Sequence, residues 1–107
     1  MNQDMLIHPG EILKEEFLDP RGLNANQLAT RLGIPPNAIT AIVNCTRAIS
    51  GPMSKLLGHA FGVPDAYFAS LQLRYELDIA TIEAGRDEKA AQRLRKADAL
   101  ARELRVG

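Results

Sequence analysis

The stretch from Asn24 to Arg47 reads NANQLATRLGIPPNAITAIVNCTR, and it decides how the fold is interpreted. Its apolar residues line one face of each of two short helices. Between the helices, Gly33 can adopt the left-handed conformation that ends a helix, and Ile34 can fill the corner. Ala29 is small where the two helices must cross closely. The pattern predicts a helix-turn-helix, whose second helix is the one that enters the major groove of DNA. The two apolar faces consist of Leu28, Ala29 and Leu32, and of Ile39, Ile42 and Val43.

The composition predicts a single all-α domain. The chain has 107 residues, nearly half of them apolar, and it lacks the alternation of β-branched residues that marks strands. The single cysteine, Cys45, excludes an internal disulfide and a cysteine-based zinc site. We see no signal peptide and no run near the ~20 apolar residues that a membrane span needs. We therefore expect a cytosolic protein with no membrane partner.

The charges are distributed unevenly, although the formal net charge is zero. No Asp or Glu occurs between Arg21 and Pro64, and the acidic residues cluster on either side of that stretch. A mildly basic surface suits contacts with phosphates, and it predicts modest non-specific affinity because few phosphates are neutralised. The basic residues within the stretch are Arg21, Arg31, Arg47 and Lys55.

Cap and turn signals define the expected elements. Asn24 with Gln27 three residues later approximates a capping box, and Ser50 is a good N-cap. Gly62 is expected to close the fourth helix and Gly85 to break the chain after the fifth. We expect a helix-turn-helix DNA-binding domain over residues 1–85, and a charged C-terminal helix or tail over residues 86–107. The five helices of the first domain are expected near residues 9–19, 25–33, 36–44, 51–62 and 65–84.

The fifth predicted helix carries two apolar stripes. One stripe can cover the core of so small a domain, and the second suggests a partner. The alternative is that the C-terminal helix folds back over the second stripe. The first stripe is Phe68, Leu71, Tyr75, Ile79 and Ile82, and the second is Ala66, Ala69, Leu73, Leu77 and Ala80.

Three segments together carry a family resemblance. HPGEILKEEFLDP (8–20), GLNANQLATRLGIPPNAITAIVN (22–44) with RAIS (47–50), and FGVPDAYFASLQLRYEL (61–77) resemble HigA-type antitoxins, the VapI-like branch of the Xre family. The resemblance implies a five-helix, lambda-repressor-like fold with a C-terminal extension. It also implies an antitoxin that binds a HigB/RelE-like RNase toxin. As a homodimer, it would repress its own operon at a palindromic operator in double-stranded DNA.

The outward residues of the second motif helix are candidates for base contacts. Asn amides can pair with adenine, and Ala or Thr methyl groups can touch thymine, which favours a half-site containing A·T pairs. Arg47, Arg31 and Asn26 are candidates for phosphate contacts. Asn37 and Asn44 could equally be ordinary helix-end residues, and Arg47 a solvated surface residue. The residues assigned to DNA are Asn26, Arg31, Pro36, Asn37, Ala38, Thr40, Ala41, Asn44, Thr46 and Arg47.

A second hypothesis is a protein-interaction module, or a stand-alone regulator, with weakened operator recognition. It rests on positions where this chain departs from the polar residues or glycine common in the family, namely Ala25, Ala38, Ala41, Cys45 and Thr46. The residues assigned to a dimer or partner interface are Phe68, Leu71, Leu73, Tyr75, Leu77 and Ile79.

Enzymatic activity, metal binding and a cofactor are not expected. His8 and His59 are far apart in sequence and have no acidic or cysteine neighbours at ligand spacing. Cys45 has no nearby His to act as a base. His8 is expected to be a turn residue before the first helix, and His59 a solvated residue on the fourth.

Overall fold

The computed structural model describes residues 6–106, and it is all-α over that range. Short connections join the elements, as the sequence predicts. The helices are α1 (Pro9–Ile12), α2 (Ala25–Leu32), α3 (Pro36–Val43), α4 (Gly51–Phe61), α5 (Tyr67–Arg86) and α6 (Glu88–Val106).

The first helix is longer and less regular than α1 alone. It continues into a π-helical stretch (Leu13–Leu18) and one 3₁₀ turn (Asp19–Arg21). The Asp19 amide donates to the carbonyl of Lys14, five residues earlier, which is the π-helical pattern. Residues 9–19, where the sequence predicts the first helix, are thus helical throughout, and the helical run continues to Arg21. No sequence signal indicated the change of geometry within it.

The helix caps follow the sequence signals closely. Asn24 and Gln27 form a reciprocal capping box at the start of α2, with bonds of 2.8 and 2.9 Å. Ser50 Oγ accepts from the Met53 amide at the start of α4. Gly33 and Gly62 end α2 and α4 in the left-handed conformation, as predicted.

The core lies between the first helical segment and α2–α5. Phe17 contacts the rings of Phe61, Tyr67 and Phe68 at centroid distances of 5.0 to 5.8 Å. This aromatic cluster joins α4 and α5 to the first helix. The buried apolar residues are Leu13, Phe17, Leu18, Leu28, Ala29, Ile39, Ile42, Ile49, Leu57 and Phe68.

Two buried polar side chains fix α5 to the rest of the domain. Ser54 Oγ on α4 donates to the carbonyl of Asp65 at 2.6 Å and accepts from the Ala69 amide at 2.8 Å. Ser54 thereby satisfies an amide in the first turn of α5. Gln72 Oε1 accepts from the amide of Ile49, in the segment between α3 and α4, at 2.9 Å.

Gly85 does not break the chain, contrary to the sequence prediction. It lies within α5, and the Asp87 amide still donates to the carbonyl of Glu83. Glycine keeps its amide and has no steric conflict with a helix, so it lowers helix propensity without ending the hydrogen-bond ladder. Asp87 interrupts the helix instead, and its Oδ1 accepts from the Lys89 amide at the start of α6.

The chain divides into two compact units, one ending at Tyr75 and the other beginning at Glu76. The buried residues of α5, Phe68 and Gln72, both lie in the first unit. This boundary falls earlier than the expected domain end at residue 85. In the second unit, Arg95 pairs with Glu88 along α6 at 2.7 Å.

Candidate nucleic-acid interface

The α2–α3 pair forms the predicted helix-turn-helix. Ala29 on α2 is fully buried, as are Ile39 and Ile42 on α3, so the two helices pack through these side chains. The Ile34 amide donates to the Ala29 carbonyl and the Gly33 amide to the Thr30 carbonyl, which closes the turn between the helices. The outer face of α3 is thereby held away from the core.

That outer face carries most of the residues assigned to base contact. Asn37, Thr40, Ala41 and Asn44 recur at i, i+3, i+4 and i+7, so they share one side of α3. Asn37 and Asn44 are exposed, and Thr40 and Ala41 are half-buried. Ala38 is also half-buried, and it lies at the flank next to the buried Ile42.

The end of α3 is closed by hydrogen bonds that position the following segment. The Cys45 amide donates to the Ile42 carbonyl and the Thr46 amide to the Ala41 carbonyl, with Cys45 at φ 64°. This is the Schellman arrangement, with cysteine where glycine is usual. Thr46 Oγ1 also donates to the Ala41 carbonyl. The hydroxyl hydrogen of Thr46, a residue assigned to DNA contact, is therefore already used in a hydrogen bond within the chain.

The arginines of the acid-free stretch differ in their availability. Arg31 and Arg47 are exposed, and neither has an ion-pair partner among residues 6–106. Arg21 instead donates to the Phe17 carbonyl at 2.9 Å and stacks over the rings of Phe17 and Phe61. Arg21 therefore acts in packing, whereas Arg31 and Arg47 remain available to phosphates.

Asn26 and Pro36 are both exposed near helix starts. Asn26 lies in the first turn of α2, where amides and the helix dipole favour an anion. Pro36 is the first residue of α3 and has no amide to offer a phosphate. A shallow cleft beside Asn26 is also lined by Thr30 and Arg31.

His8 is more than the turn residue expected from sequence. It is buried, its Nδ1 accepts from the Gly10 amide at 2.9 Å, and its ring meets the edge of Tyr75. Burial lowers the pKa of His8, and the charge of Glu11 opposes this shift. Burial, and to a lesser extent Glu11, raises the pKa of the Cys45 thiol. The first helix thus lies beside the end of α3.

Gly10 marks the closest approach between the first helix and α3. A Cβ atom at this position would lie 1.8 Å from the Ile42 carbonyl oxygen. Only glycine allows the backbones to meet at this distance. The sequence analysis missed the contact of Gly10 with Ile42 and the hydrogen bond of Gln72 with Ile49. Each partner is distant in sequence, and no pattern of neighbouring residues indicates it.

The residues assigned to a partner interface divide by exposure. Leu73 and Leu77 are 57% and 55% exposed, whereas Leu71, Tyr75 and Ile79 are half-buried. Phe68 is fully buried in the aromatic cluster, so its assignment to an interface was wrong. The prediction failed because both stripes of α5 are apolar, and sequence alone did not show which stripe faces the core. Within the second unit, α6 does not cover Leu77.

His59 is exposed, as expected, and its Nε2 lies 3.2 Å from Asp65 Oδ1. Across residues 6–106, no three His, Cys, Asp or Glu side chains converge as a metal site would require. No helix in the same range has the length and apolar character of a membrane span.

Comparison with known proteins agrees with this geometry. A family model described as helix-turn-helix, HTH_3, matches residues 13–68. Virulence-associated protein I of Dichelobacter nodosus is 39% identical over 79 residues, covering 74% of this chain and 73% of that protein. Virulence-associated protein A of the same organism is 43% identical over 61 residues, covering 57% of this chain and 60% of that protein.

Two solved structures extend the likeness to the fold. Pseudomonas aeruginosa antitoxin HigA with the higBA promoter has a TM-score of 0.72 and 34% identity, covering 76% of this chain and 88% of that one. A HigA-family addiction module antidote protein from Coxiella burnetii has a TM-score of 0.70 and 40% identity, with the same coverage of 76% and 88%. The HTH_3 match extends over more than half of the chain. The chain therefore belongs to the Xre-type HTH_3 helix-turn-helix family, a family of DNA-binding regulators and antitoxins rather than of enzymes, and its structural neighbours are HigA antitoxins.

Proposed function

We propose that this protein is a sequence-specific DNA-binding antitoxin that represses its own operon as a homodimer and neutralises a HigB/RelE-like RNase toxin. The observation that carries the DNA half is the outer face of α3, with Asn37 and Asn44 exposed and no carboxylate between Arg21 and Pro64. The HigA relative with the higBA promoter supports the same assignment. Since operator DNA lies in the cytoplasm, we expect the protein to act there.

In this proposal, α3 lies in the major groove. Asn37 and Asn44 offer amides to adenine edges, while the methyl groups of Thr40 and Ala41 meet thymine methyls. Arg47 and Arg31 hold phosphates on either side and set the position of α3 without reading sequence. The small side chains of α3 limit the number of base hydrogen bonds, so indirect readout of DNA shape contributes to specificity.

The homodimer is proposed from the outward stripe of α5. Leu73 and Leu77 form an exposed apolar pair in the chain by itself. Covering this pair with a second copy removes it from water and gives a two-fold assembly. A two-fold dimer binds half-sites about 34 Å apart, or a multiple of this distance, which requires a palindromic operator.

The alternative is a protein-interaction module or stand-alone regulator with weakened operator recognition. It is favoured by Ala38 and Ala41, which offer no hydrogen bond to a base, and by Ala25 in the first turn of α2. On this alternative, the helix-turn-helix is a scaffold and binding to a protein partner is the function. Co-expression with the product of the gene immediately upstream tests for a toxin partner, which should co-purify and whose effect on growth should be relieved. DNA binding separates the two hypotheses, because only the repressor prefers its own operator.

The deciding test is binding of the purified protein to the DNA upstream of its own gene and to scrambled DNA of equal length. Both are titrated at about 50 and 200 mM salt. We expect clear preference for the native fragment. Arg47→Ala should weaken binding to both fragments and lower the salt slope by about one, whereas Thr40→Ala should change the preference between fragments. Equal, salt-sensitive binding of the wild type to both fragments would overturn the repressor assignment.

A further inference from the structure

The segment from Asn44 to Ser50 carries Arg47, and it is fixed at two places. At its start, the amide and hydroxyl of Thr46 both bond to the Ala41 carbonyl, at 2.9 and 3.0 Å. At its end, the side chain of Ile49 is buried and its amide bonds to Gln72 Oε1 at 2.9 Å. Arg47 and Ala48 are exposed between these two anchors.

The two anchors come from different parts of the fold. Thr46 bonds back to α3, within the helix-turn-helix itself. Gln72 lies on α5, outside the two-helix motif, and the residue is only 7% exposed. Its bond to Ile49 spans 23 residues of sequence. A buried backbone amide without a hydrogen-bond acceptor destabilises the fold. The hydrogen bond from the Ile49 amide to Gln72 therefore fixes the end of the segment.

We infer that Gln72 is a positioning residue for phosphate contact: it holds the segment so that Arg47 reaches the DNA backbone at a fixed place relative to α3. This inference rests on the proposed DNA-binding function and adds a residue that does not itself touch DNA. The guanidinium of arginine lies at the end of a long, flexible side chain. The position of the backbone therefore sets which phosphates lie within its reach. α3 supplies the anchor at the start of the segment. At its end the buried side chain of Ile49 holds that residue in the core, and the bond to Gln72 fixes the direction of its amide.

The location of Gln72 also links two surfaces. The next residue, Leu73, belongs to the outward stripe of α5 that is proposed as the dimer face. Within the first unit, α5 therefore holds the segment of Arg47 through Gln72 and exposes Leu73 on a neighbouring face.

The test uses Gln72→Met, which keeps the length of the side chain and removes the acceptor. Ser54→Ala is the matched control, since it removes buried hydrogen bonds to Asp65 and Ala69 on the α4–α5 side and does not touch the segment of Arg47. Both variants are studied at a temperature where circular dichroism shows them folded. Binding to native and scrambled duplexes is measured as a function of salt.

We expect Gln72→Met to lower the salt slope by about one on both duplexes, as Arg47→Ala does. The double variant Gln72→Met/Arg47→Ala should bind no more weakly than Arg47→Ala alone, because both changes remove the same contact. Ser54→Ala should leave the slope unchanged. An unchanged slope in Gln72→Met, or additive losses in the double variant, would overturn the positioning role.

A second readout does not depend on DNA. Amide hydrogen exchange by NMR should accelerate at Ile49 in Gln72→Met and remain at the wild-type rate at Thr46. Unchanged exchange at Ile49 would also overturn the inference. If the wild type fails to prefer its native fragment, the proposed function fails, but the slope on scrambled DNA still tests Gln72. The two failures are therefore distinguishable.

Discussion

At the scale of single residues, Cys45 shows where the chain carries local strain. Gly22, Gly33 and Gly62 hold a positive φ where helical segments end, and Cys45 holds φ 64° at the end of α3. A side chain in this conformation costs about 1–2 kcal/mol, because Cβ approaches the following carbonyl. The family resemblance implies glycine at the position of Cys45, and the backbone shows that the cysteine keeps a positive φ there.

Cys45→Gly is therefore expected to raise the free energy of unfolding by up to about 1 kcal/mol, since relief of strain exceeds the extra entropy of glycine in the unfolded chain. Thermal and urea unfolding measure the change. Cys45→Ala, which removes the thiol and keeps Cβ, is the control and should give no gain. Equal stabilisation by both variants would assign the effect to the thiol.

His8 gives a second prediction at the residue scale, for pH. Burial lowers its pKa below the ordinary value of 6.5, so the unfolded chain takes up the proton first as pH falls. Protonation also removes the Nδ1 lone pair that accepts from the Gly10 amide. The stabilising effect of neutral His8 is therefore complete above pH 6.5 and is lost as pH falls below this value.

Melting temperatures between about pH 7.5 and 5.5 test this dependence. His8→Asn keeps a side-chain acceptor at the helix start and cannot titrate, so it should flatten the curve in this range. His59→Gln removes the other histidine of the chain and is the matched variant for loss of an imidazole. A wild-type slope that survives in His8→Asn would show that another group is responsible.

At the scale of elements, the close approach of the first helix to α3 positions the helix that carries the candidate interface. The backbone of Gly10 lies against the Ile42 carbonyl in the last turn of α3. The contact fixes α3 from the side opposite its outer face. The Pro-Gly pair at the helix start indicated a helix N-terminus, but the need for glycine arises from a partner distant in sequence.

Gly10→Ala should destabilise the protein by about 1–3 kcal/mol, because the added methyl group must displace the Ile42 backbone. The shift in urea midpoint measures this change. Gly51→Ala is the matched control, since a Cβ at Gly51 meets no atom within 4 Å. If Gly10→Ala were as stable as Gly51→Ala, the packing of the first helix against α3 would have to be looser than described.

At the scale of the whole molecule, the question is what covers the exposed leucines. Leu73 and Leu77 lie on the outward stripe of α5, whereas Leu94, Leu100 and Leu104 are exposed on α6. The proposed dimer buries the α5 pair. Burial of apolar area favours association by about 25 cal/mol per Å², before the cost of bringing two chains together is subtracted.

Leu73→Asp and Leu77→Asp should each shift the protein from dimer to monomer in sedimentation equilibrium, because a carboxylate in the interface loses its hydration. Stability of the monomer should change little, since both side chains are more than half exposed. Leu94→Asp on α6 is the control and should remain dimeric. If Leu94→Asp dissociated the dimer and the two α5 variants did not, the interface would lie on α6.

The sequence by itself determined what depends on neighbours in the chain. The helix-turn-helix pair, the capping box of Asn24, the left-handed ends at Gly33 and Gly62, and the face shared by Asn37 and Asn44 all follow from residues within one or two helical turns. These features could be predicted because their hydrogen bonds and periodicities are local.

Only the tertiary structure decided what depends on partners distant in sequence. Phe68 is in the core because the rings of Phe17 and Phe61 meet it there, although the opposite stripe of α5 is also apolar. Gln72 became an anchor because it reaches Ile49. Such contacts are selected by packing and by the cost of unpaired buried groups, which no local pattern encodes.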